Sequence, residues 1–175
     1  MVQYPEAYVR YLIHFHTDRD YFECHEVLEE FWKEHPEDAR SELWVGLIQL
    51  AVAMYHERRG NCKGAVKMLS SSFNKLIEQG DVSVLGLNPD RLSKLMKQRL
   101  QSYENRAEDA VYRDLELPFM DLQLLKTCRE RAGEDWNAPS RMNVPELVHK
   151  HIMRDRTQVI AARAAEMKKR AERSL

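Results

Sequence analysis

The stretch LWVGLIQLAVAMY, residues 43–55, decides the fold of this chain. Gln49 is its only side chain with a strongly polar group, and a helix that is apolar on all sides is a buried helix. The stretch is too short to span a bilayer and is flanked by charge. With six Gly and six Pro in 175 residues, the composition favours helices. The sequence therefore predicts an all-α multihelical bundle packed around a central apolar helix.

Apolar spacing, prolines and capping residues predict further helices on both sides of this stretch. Pro5 suits a first helical turn, and Asp20 with Glu23 three residues later resembles a capping box. Gly60 suits a left-handed helix end, and Asn61 suits the N-cap of the next helix. The predicted helices are Pro5 to Thr17, 20–34, Pro36 to Gly60, 62–79 and 89–113.

The C-terminal third carries weaker signals. Residues 119–131 could form a short helix, although apolar residues alternate over 115–119 and leave an extended segment open. The stretch from Gly133 to Pro145 contains turn formers and is typical of a linker. A last helix is predicted from Pro145 to about Arg170. We therefore expect a bundle core over residues 1–115 and a helical extension over 116–175 that packs on it.

Charge and cysteine content limit the class of protein. The chain has 27 Lys and Arg against 28 Asp and Glu, so its overall charge indicates neither a nucleic-acid nor a membrane partner. Residues 1–40 hold four basic and ten acidic side chains, whereas residues 141–175 hold nine basic and four acidic ones. Three scattered cysteines suit free thiols in a reducing cytoplasm, and no signal peptide is read at the start.

The second predicted helix carries the first candidate site. Phe22, His25, Glu29 and Trp32 recur at steps of three and four residues and therefore share one stripe, with Glu26 beside it. A carboxylate four residues from an imidazole can hold it in one tautomer or join it in binding a metal ion. An ordinary pairing of imidazole and carboxylate at a helix surface is the alternative.

The central helix adds two polar residues to this stripe. Gln49 and His56 are seven residues apart and share a face, and polar groups on a buried helix need partners. Consecutive helices usually pack as antiparallel neighbours, so the sequence predicts that His25, Glu29, Gln49 and His56 meet as a semi-buried cluster. A satisfied structural hydrogen-bond network and a functional pocket both fit this cluster.

No established catalytic or metal motif is complete. His25-Glu26 begins like the H-E-x-x-H zinc helix, but Glu29 stands where the second His would be. The Glu-x-x-His step of di-iron bundles is also missing, because Phe22 lies three residues before His25. We therefore assign no metal and no cofactor from the sequence.

Three blocks of sequence, taken in order, resemble the domain-of-unknown-function family 309. The blocks are Tyr21–Trp32, Gly46–Ala53 with His56, and Arg59–Asn61 with Gly64 and Ala65. The resemblance covers about residues 14–80 and implies a small multihelical bundle of bacterial and archaeal cytoplasmic proteins. It also implies that the His, Glu, Trp, Gln and Asn positions form a signature, and it implies no activity. Cys24 stands where such proteins often have Ala.

The favoured hypothesis is a non-enzymatic binding or scaffold domain, with a small molecule or a protein as partner and a monomeric or homodimeric state. An alternative is a hydrolase-like enzyme with His25 or His56 as general base and Glu29 or Glu26 as orienting group, with or without a divalent metal. A weaker alternative is a nucleic-acid contact through the basic last helix. The expected binding residues are His25, Glu26, Glu29, Trp32, Gln49, His56 and Asn61, of which His25, Glu29 and His56 are also the catalytic candidates.

Overall fold

A computed structural model describes residues 3–104 and 111–153 of the chain. Within these ranges the structure contains helices and no β-strand, apart from one isolated bridge between Leu87 and Phe119. The predicted all-α multihelical fold is confirmed. The α-helices are α1 (Glu6–His16), α2 (Tyr21–Glu34), α3 (Ser41–Arg58), α4 (Cys62–Phe73), α5 (Pro89–Glu104), α6 (Leu122–Ala132), α7 (Pro145–Val148) and α8 (Lys150–Met153). A π-helical turn at Asn74–Glu78 directly follows α4, and 3-10 turns lie at Val82–Leu85 and Gly133–Asp135.

Helix α3 is the centre of the bundle, as its sequence predicts. Twelve of its residues are buried, and it packs against both α2 and α4. Gly46 permits the close approach of the π-helical turn, because a Cβ atom there would lie 2.6 Å from Leu76 Cδ2. The Ser72 hydroxyl also donates to the Gly46 carbonyl at 2.7 Å. The apolar stretch therefore fixes the position of its neighbours through close contact as well as through burial.

Helix α1 is joined to the core by two buried tyrosines. The Tyr8 hydroxyl donates to the Leu85 carbonyl and the Tyr11 hydroxyl donates to the Leu47 carbonyl, each at 2.8 Å. Both side chains are fully buried, so each polar hydroxyl has a partner where water cannot reach it.

Two predicted helix boundaries are wrong. The central helix begins at Ser41 and not at Pro36, because the Asp38 carboxylate accepts from the Arg40 amide at 2.8 Å and holds a turn there. The fifth helix ends at Glu104 in the described residues, and residues 111–113 are irregular. The Arg113 carbonyl accepts from Arg99 Nη1 at 2.8 Å, so it serves a contact between segments.

The segment before α6 follows the extended alternative. Leu115 and Leu117 are buried, the chain around them is irregular, and helix α6 starts only after Asp121. The Asp121 carboxylate caps α6 by accepting from the amides of Gln123 and Leu124 at 2.8 and 3.0 Å. The short helix predicted over 119–131 is therefore present, displaced by about one turn at its start.

The stretch predicted as a linker packs against the end of α1. The Asn137 amide donates to the His16 carbonyl at 2.7 Å, and Arg19 Nε donates to the Ala138 carbonyl at 3.0 Å. Arg19 is 1% exposed and also donates to the Phe15 and Leu115 carbonyls. These bonds fix the chain between α6 and α7 on the bundle. The division into units 1–115 and 116–175 stays a prediction.

The last predicted helix is wrong as one continuous element. In an unbroken helix the Leu147 carbonyl would accept from the His151 amide. Here Leu147 accepts from Arg58 Nη2 at 2.9 Å, and the His151 amide donates to the Tyr55 hydroxyl at 3.1 Å. Side chains of α3 thus replace that helical bond, and α7 and α8 are separated at His149. The rest of the predicted helix, 154–170, lies outside the described residues.

None of the helices in 3–104 and 111–153 combines the length and the apolar character that crossing a membrane requires.

Candidate functional site on helix α2

His25 lies between two carboxylates on the outer side of α2. Its Nδ1 is 3.3 Å from Glu26 Oε1, and its Nε2 is 3.3 Å from Glu29 Oε2. The three side chains are between 25% and 33% exposed, so the group is partly shielded from water. Glu29 also pairs with Lys33 at 3.0 Å. The structure therefore brings together three of the predicted site residues as an imidazole held by two carboxylates.

The start of α2 explains why these residues face outward. Asp20 is the N-cap, as predicted, and its carboxylate accepts from the Glu23 amide at 3.0 Å. From this start, Tyr21, Cys24 and Leu28 point into the core and are fully buried. Because His25 follows Cys24 by one residue, it is turned about 100° away from that buried face.

A groove runs along the outer side of α2 and reaches α7 and α8, with a volume of about 830 Å³. Five of its lining residues are glutamates and three carry positive charges. We call it the acidic groove. Its lining residues are Arg10, Phe22, Glu23, Glu26, Val27, Glu29, Glu30, Lys33, Glu146 and Lys150.

The described residues do not show the larger cluster predicted with Gln49 and His56. Gln49 Oε1 is buried and has no hydrogen-bond partner there, and the hydrogen bond of His56 goes to Asn61. Trp32, on α2, contacts the end of α3 opposite to His56. Its indole Nε1 donates to the Ser41 hydroxyl at 2.8 Å. The predicted residues thus divide into the carboxylates around His25, a corner at His56 and Asn61, the contact of Trp32 with Ser41, and Gln49 on its own.

His56 and Asn61 form a corner between α3 and α4. Asn61 Nδ2 donates to His56 Nδ1 at 3.0 Å, and Asn61 Oδ1 accepts from the Gly64 amide at 3.0 Å as the predicted N-cap. Gly60 has φ of 75°, the left-handed conformation predicted for it. Burial lowers the pKa of His56, and the nearby Arg59 guanidinium lowers it further. This corner is a structural feature that fixes the angle between two helices.

We expect Asn61→Ala to lower the free energy of unfolding by about 1 to 2 kcal/mol, because it removes the cap of α4 and the donor to His56. Asn61→Asp keeps the capping oxygen and should retain most of the stability. Its carboxylate should also raise the pKa of His56. Urea unfolding measures the first effect and an NMR titration of His56 the second. Equal losses for both variants would show that the cap does not matter.

The same group around His25 is the one metal-ligating cluster found in the described residues. The donor atoms of His25, Glu26 and Glu29 lie within 4.8 Å of one another. Imidazole and carboxylate donors together suit transition metals such as Zn²⁺. In the structure, however, each ring nitrogen faces a different carboxylate, which is the geometry of an ion pair. A divalent ion held here would take one ring nitrogen of His25 and one oxygen from each carboxylate.

Several groove residues were missed by the sequence reasoning. Phe22 was on the predicted stripe but was not predicted as a binding residue. The centres of its ring and of the Tyr55 ring lie 6.0 Å apart. Lys150 is distant in sequence, yet its ammonium contacts Asp20 and Glu23. The acidic first forty residues and the basic chain end were the available signal for this contact.

Comparisons with known proteins agree with the resemblance seen in the sequence. The family described as a domain of unknown function (DUF309) matches residues 8–68, which run from α1 into α4. The uncharacterized protein YpuF of Bacillus subtilis (strain 168) is 44% identical over 171 residues, covering 95% of this chain and 97% of YpuF. No solved structure matches the chain significantly. Because one relative matches at this identity over nearly its whole length, the chain belongs to the DUF309 family, whose biochemical role is not established.

Proposed function

We propose that the protein is a non-enzymatic binding protein that holds a basic segment of a protein partner in the acidic groove. Lys150 supplies the observation that carries this proposal. Its ammonium contacts Asp20, lies 3.1 Å from Glu23 Oε2 and is 5.9 Å from the centre of the Phe22 ring. Two carboxylates and an aromatic face are the surroundings that favour a lysine or arginine side chain.

The rest of the groove offers similar surroundings to a second cation. Glu30 and Glu146 are exposed and have no ion pair recorded in the described residues. Glu26 and Glu29 lie deeper and are about one-third exposed, which weakens screening by solvent. A basic segment entering the groove would therefore meet several carboxylates at once. Such charge complementarity favours rapid and selective association.

The geometry does not favour the hydrolase hypothesis. A general base needs a ring nitrogen within hydrogen-bond reach of its substrate. Both ring nitrogens of His25 face carboxylates, whereas the orienting partner of His56 Nδ1 is the neutral amide of Asn61 and not the carboxylate of Glu26 or Glu29 that the hypothesis requires. A binding role needs none of these groups to transfer a proton.

A cytoplasmic location in a bacterium is part of this proposal. Cys24, Cys62 and Cys128 are free thiols, and two of them are buried. Free thiols are the usual state of cysteine in a reducing compartment. The similarity to a Bacillus protein supports a bacterial source.

The test is fluorescence anisotropy with a labelled octa-arginine peptide and the full chain. Glu26→Lys/Glu30→Lys reverses two charges of the groove, and Glu34→Lys/Glu37→Lys makes the same change at exposed positions outside it. Because like charges in a contact are repulsive, we expect the groove variant to weaken binding at least about tenfold and the control variant to change it far less.

Added salt should weaken binding to the unmodified protein, since part of the attraction is screened. Equal losses in the two double variants would indicate a general charge effect and overturn the proposal. Thermal melts of both variants establish that each is folded at the temperature of the assay.

A further inference from the structure

We propose that a second site, a basic cleft between α5 and α6, binds a free nucleotide. The cleft has a volume of about 1210 Å³ and is separate from the acidic groove. We define the basic cleft by four cationic residues, Arg91, Lys94, Arg113 and Arg129, and by two aromatic residues, Phe119 and Trp136. This site is independent of the proposed binding of a basic segment.

Three elements bring the cations to one place. Arg91 and Lys94 are three residues apart on α5 and share the face opposite the buried Met96. Arg129 lies on α6 one residue after the buried Cys128, and Arg113 belongs to the irregular segment between the two helices. Elements separated in sequence therefore direct positive charges toward a common cleft, which periodicity within one helix could not reveal.

The positive charges of the cleft are poorly compensated. No ion pair is recorded for Arg91, Lys94, Arg113 or Arg129 in the described part of the chain, and all four residues are exposed. A ligand with several negative charges would therefore find unpaired partners here. Arginine and lysine are the usual ligands of phosphate oxygens in proteins.

Two of the three acidic residues in the lining already have other partners. Glu57 accepts from Arg99 Nη1 at 3.1 Å and from the Tyr103 hydroxyl at 2.5 Å. Asp114 accepts from the Tyr21 hydroxyl at 3.0 Å and from the Ser140 amide at 2.7 Å. Among the lining residues that the structure describes, Glu116 is then the single carboxylate that could oppose the four cations. This imbalance favours an anion.

The aromatic wall favours a ligand that also contains a planar ring. Trp136 stacks on His16 with 4.6 Å between ring centres and an interplanar angle of 13°. The Phe119 ring lies 5.9 Å from that of Trp136, and both side chains are only partly buried. A nucleobase can stack on such a surface while its phosphates reach the cations. Inorganic phosphate would use only the charged half of the cleft.

A free nucleotide fits these features better than a nucleic-acid strand. The cations converge on one cleft and do not follow a long stripe. A strand would be expected to use a groove that tracks several phosphates, with aromatic residues spaced along it. The cleft offers one aromatic wall and one group of cations.

Calorimetric titration with ATP in buffer without magnesium tests the proposal. Adenosine and inorganic tripolyphosphate test the two halves of the ligand separately. We expect ATP to bind at least about tenfold more tightly than tripolyphosphate, the gain expected of one stacked base. Adenosine, which lacks the charged half, should bind more weakly than ATP.

Two matched variants then locate the site. Lys94→Glu/Arg129→Glu changes two exposed residues of the cleft, and Lys67→Glu/Arg141→Glu makes the same charge change at exposed positions outside it. The cleft variant should lose ATP binding at least about tenfold while the control variant keeps it. Equal affinity for ATP and tripolyphosphate, equal losses in both variants, or tighter binding of an RNA oligomer than of ATP would each overturn the proposal.

Discussion

Leu50→Asp is expected to remove most of the stability of the protein. Leu50 lies at the middle of α3 and is fully buried in the main apolar cluster. The substitution removes a buried side chain and leaves a charge without a partner in its place. An unpaired buried charge costs roughly 3 to 5 kcal/mol or more, and domains of this kind are stable by about 5 to 15 kcal/mol. One residue can therefore remove most of the stability.

Urea unfolding followed by circular dichroism measures the effect. Leu50→Ala provides a milder variant that should remain folded and lose about 2 to 5 kcal/mol. Leu122→Asp is the matched control, because Leu122 is 75% exposed and the change should stay within about 0.5 kcal/mol. If Leu50→Asp unfolded no more easily than Leu122→Asp, α3 would not be the centre of the core.

The central helix could be predicted from sequence because burial on all sides leaves a compositional signature. No partner needs to be known to recognise that residues 43–55 avoid water. Helix starts that depend on a capping side chain could also be predicted, because the signal lies in a few neighbouring residues. Asp20 and Asn61 both cap their helices as predicted. The predicted start at Pro36 was wrong because Asp38 forms a competing turn with the backbone, and this turn delays the start of the helix.

The candidate site was harder to predict because a stripe of residues does not reveal its own orientation. His25, Glu26 and Glu29 lie in contact because they are neighbours on one helix. Their expected contact with α3 required the stripe to face inward, whereas Cys24 and Leu28 face the core. A rotation of about one residue, roughly 100°, separates the two arrangements. Periodicity alone resolves a helix face no more finely than this.

The contacts between distant segments could not be predicted from local patterns. The bonds from Arg58 to Leu147 and from Tyr55 to His151 divide the last predicted helix, although its own sequence favours continuity. Likewise, nothing near His16 in the sequence indicates that Trp136 would stack on it. Such contacts depend on how the elements pack.

Acidification is expected to destabilise the protein through His16. This side chain is 1% exposed, and each nitrogen of its neutral ring has a hydrogen-bond partner. Nδ1 lies 2.9 Å from Asn137 Oδ1, and Nε2 accepts from the Leu117 amide at 3.4 Å, which assigns the proton to Nδ1. The pKa of His16 is lowered from 6.5 to about 4, chiefly by burial and to a lesser extent by the nearby Arg19 guanidinium, while the hydrogen bond to Asn137 opposes this shift. A proton on Nε2 would face the Leu117 N–H and lose that hydrogen bond.

The sign of the effect follows from which state binds the proton. Between pH 6.5 and about 4 the unfolded chain takes up a proton at His16 that the folded protein excludes, so stability falls as the pH falls. The shift corresponds to roughly 3 kcal/mol in total. His16→Gln keeps an amide that can donate and accept but does not titrate. Urea unfolding from pH 7.5 to 4.5 should therefore show the unmodified protein losing about 2 to 3 kcal/mol more than the variant. Parallel losses in the two proteins would mean that His16 is protonated without cost in the folded state, since every other titrating group is common to both.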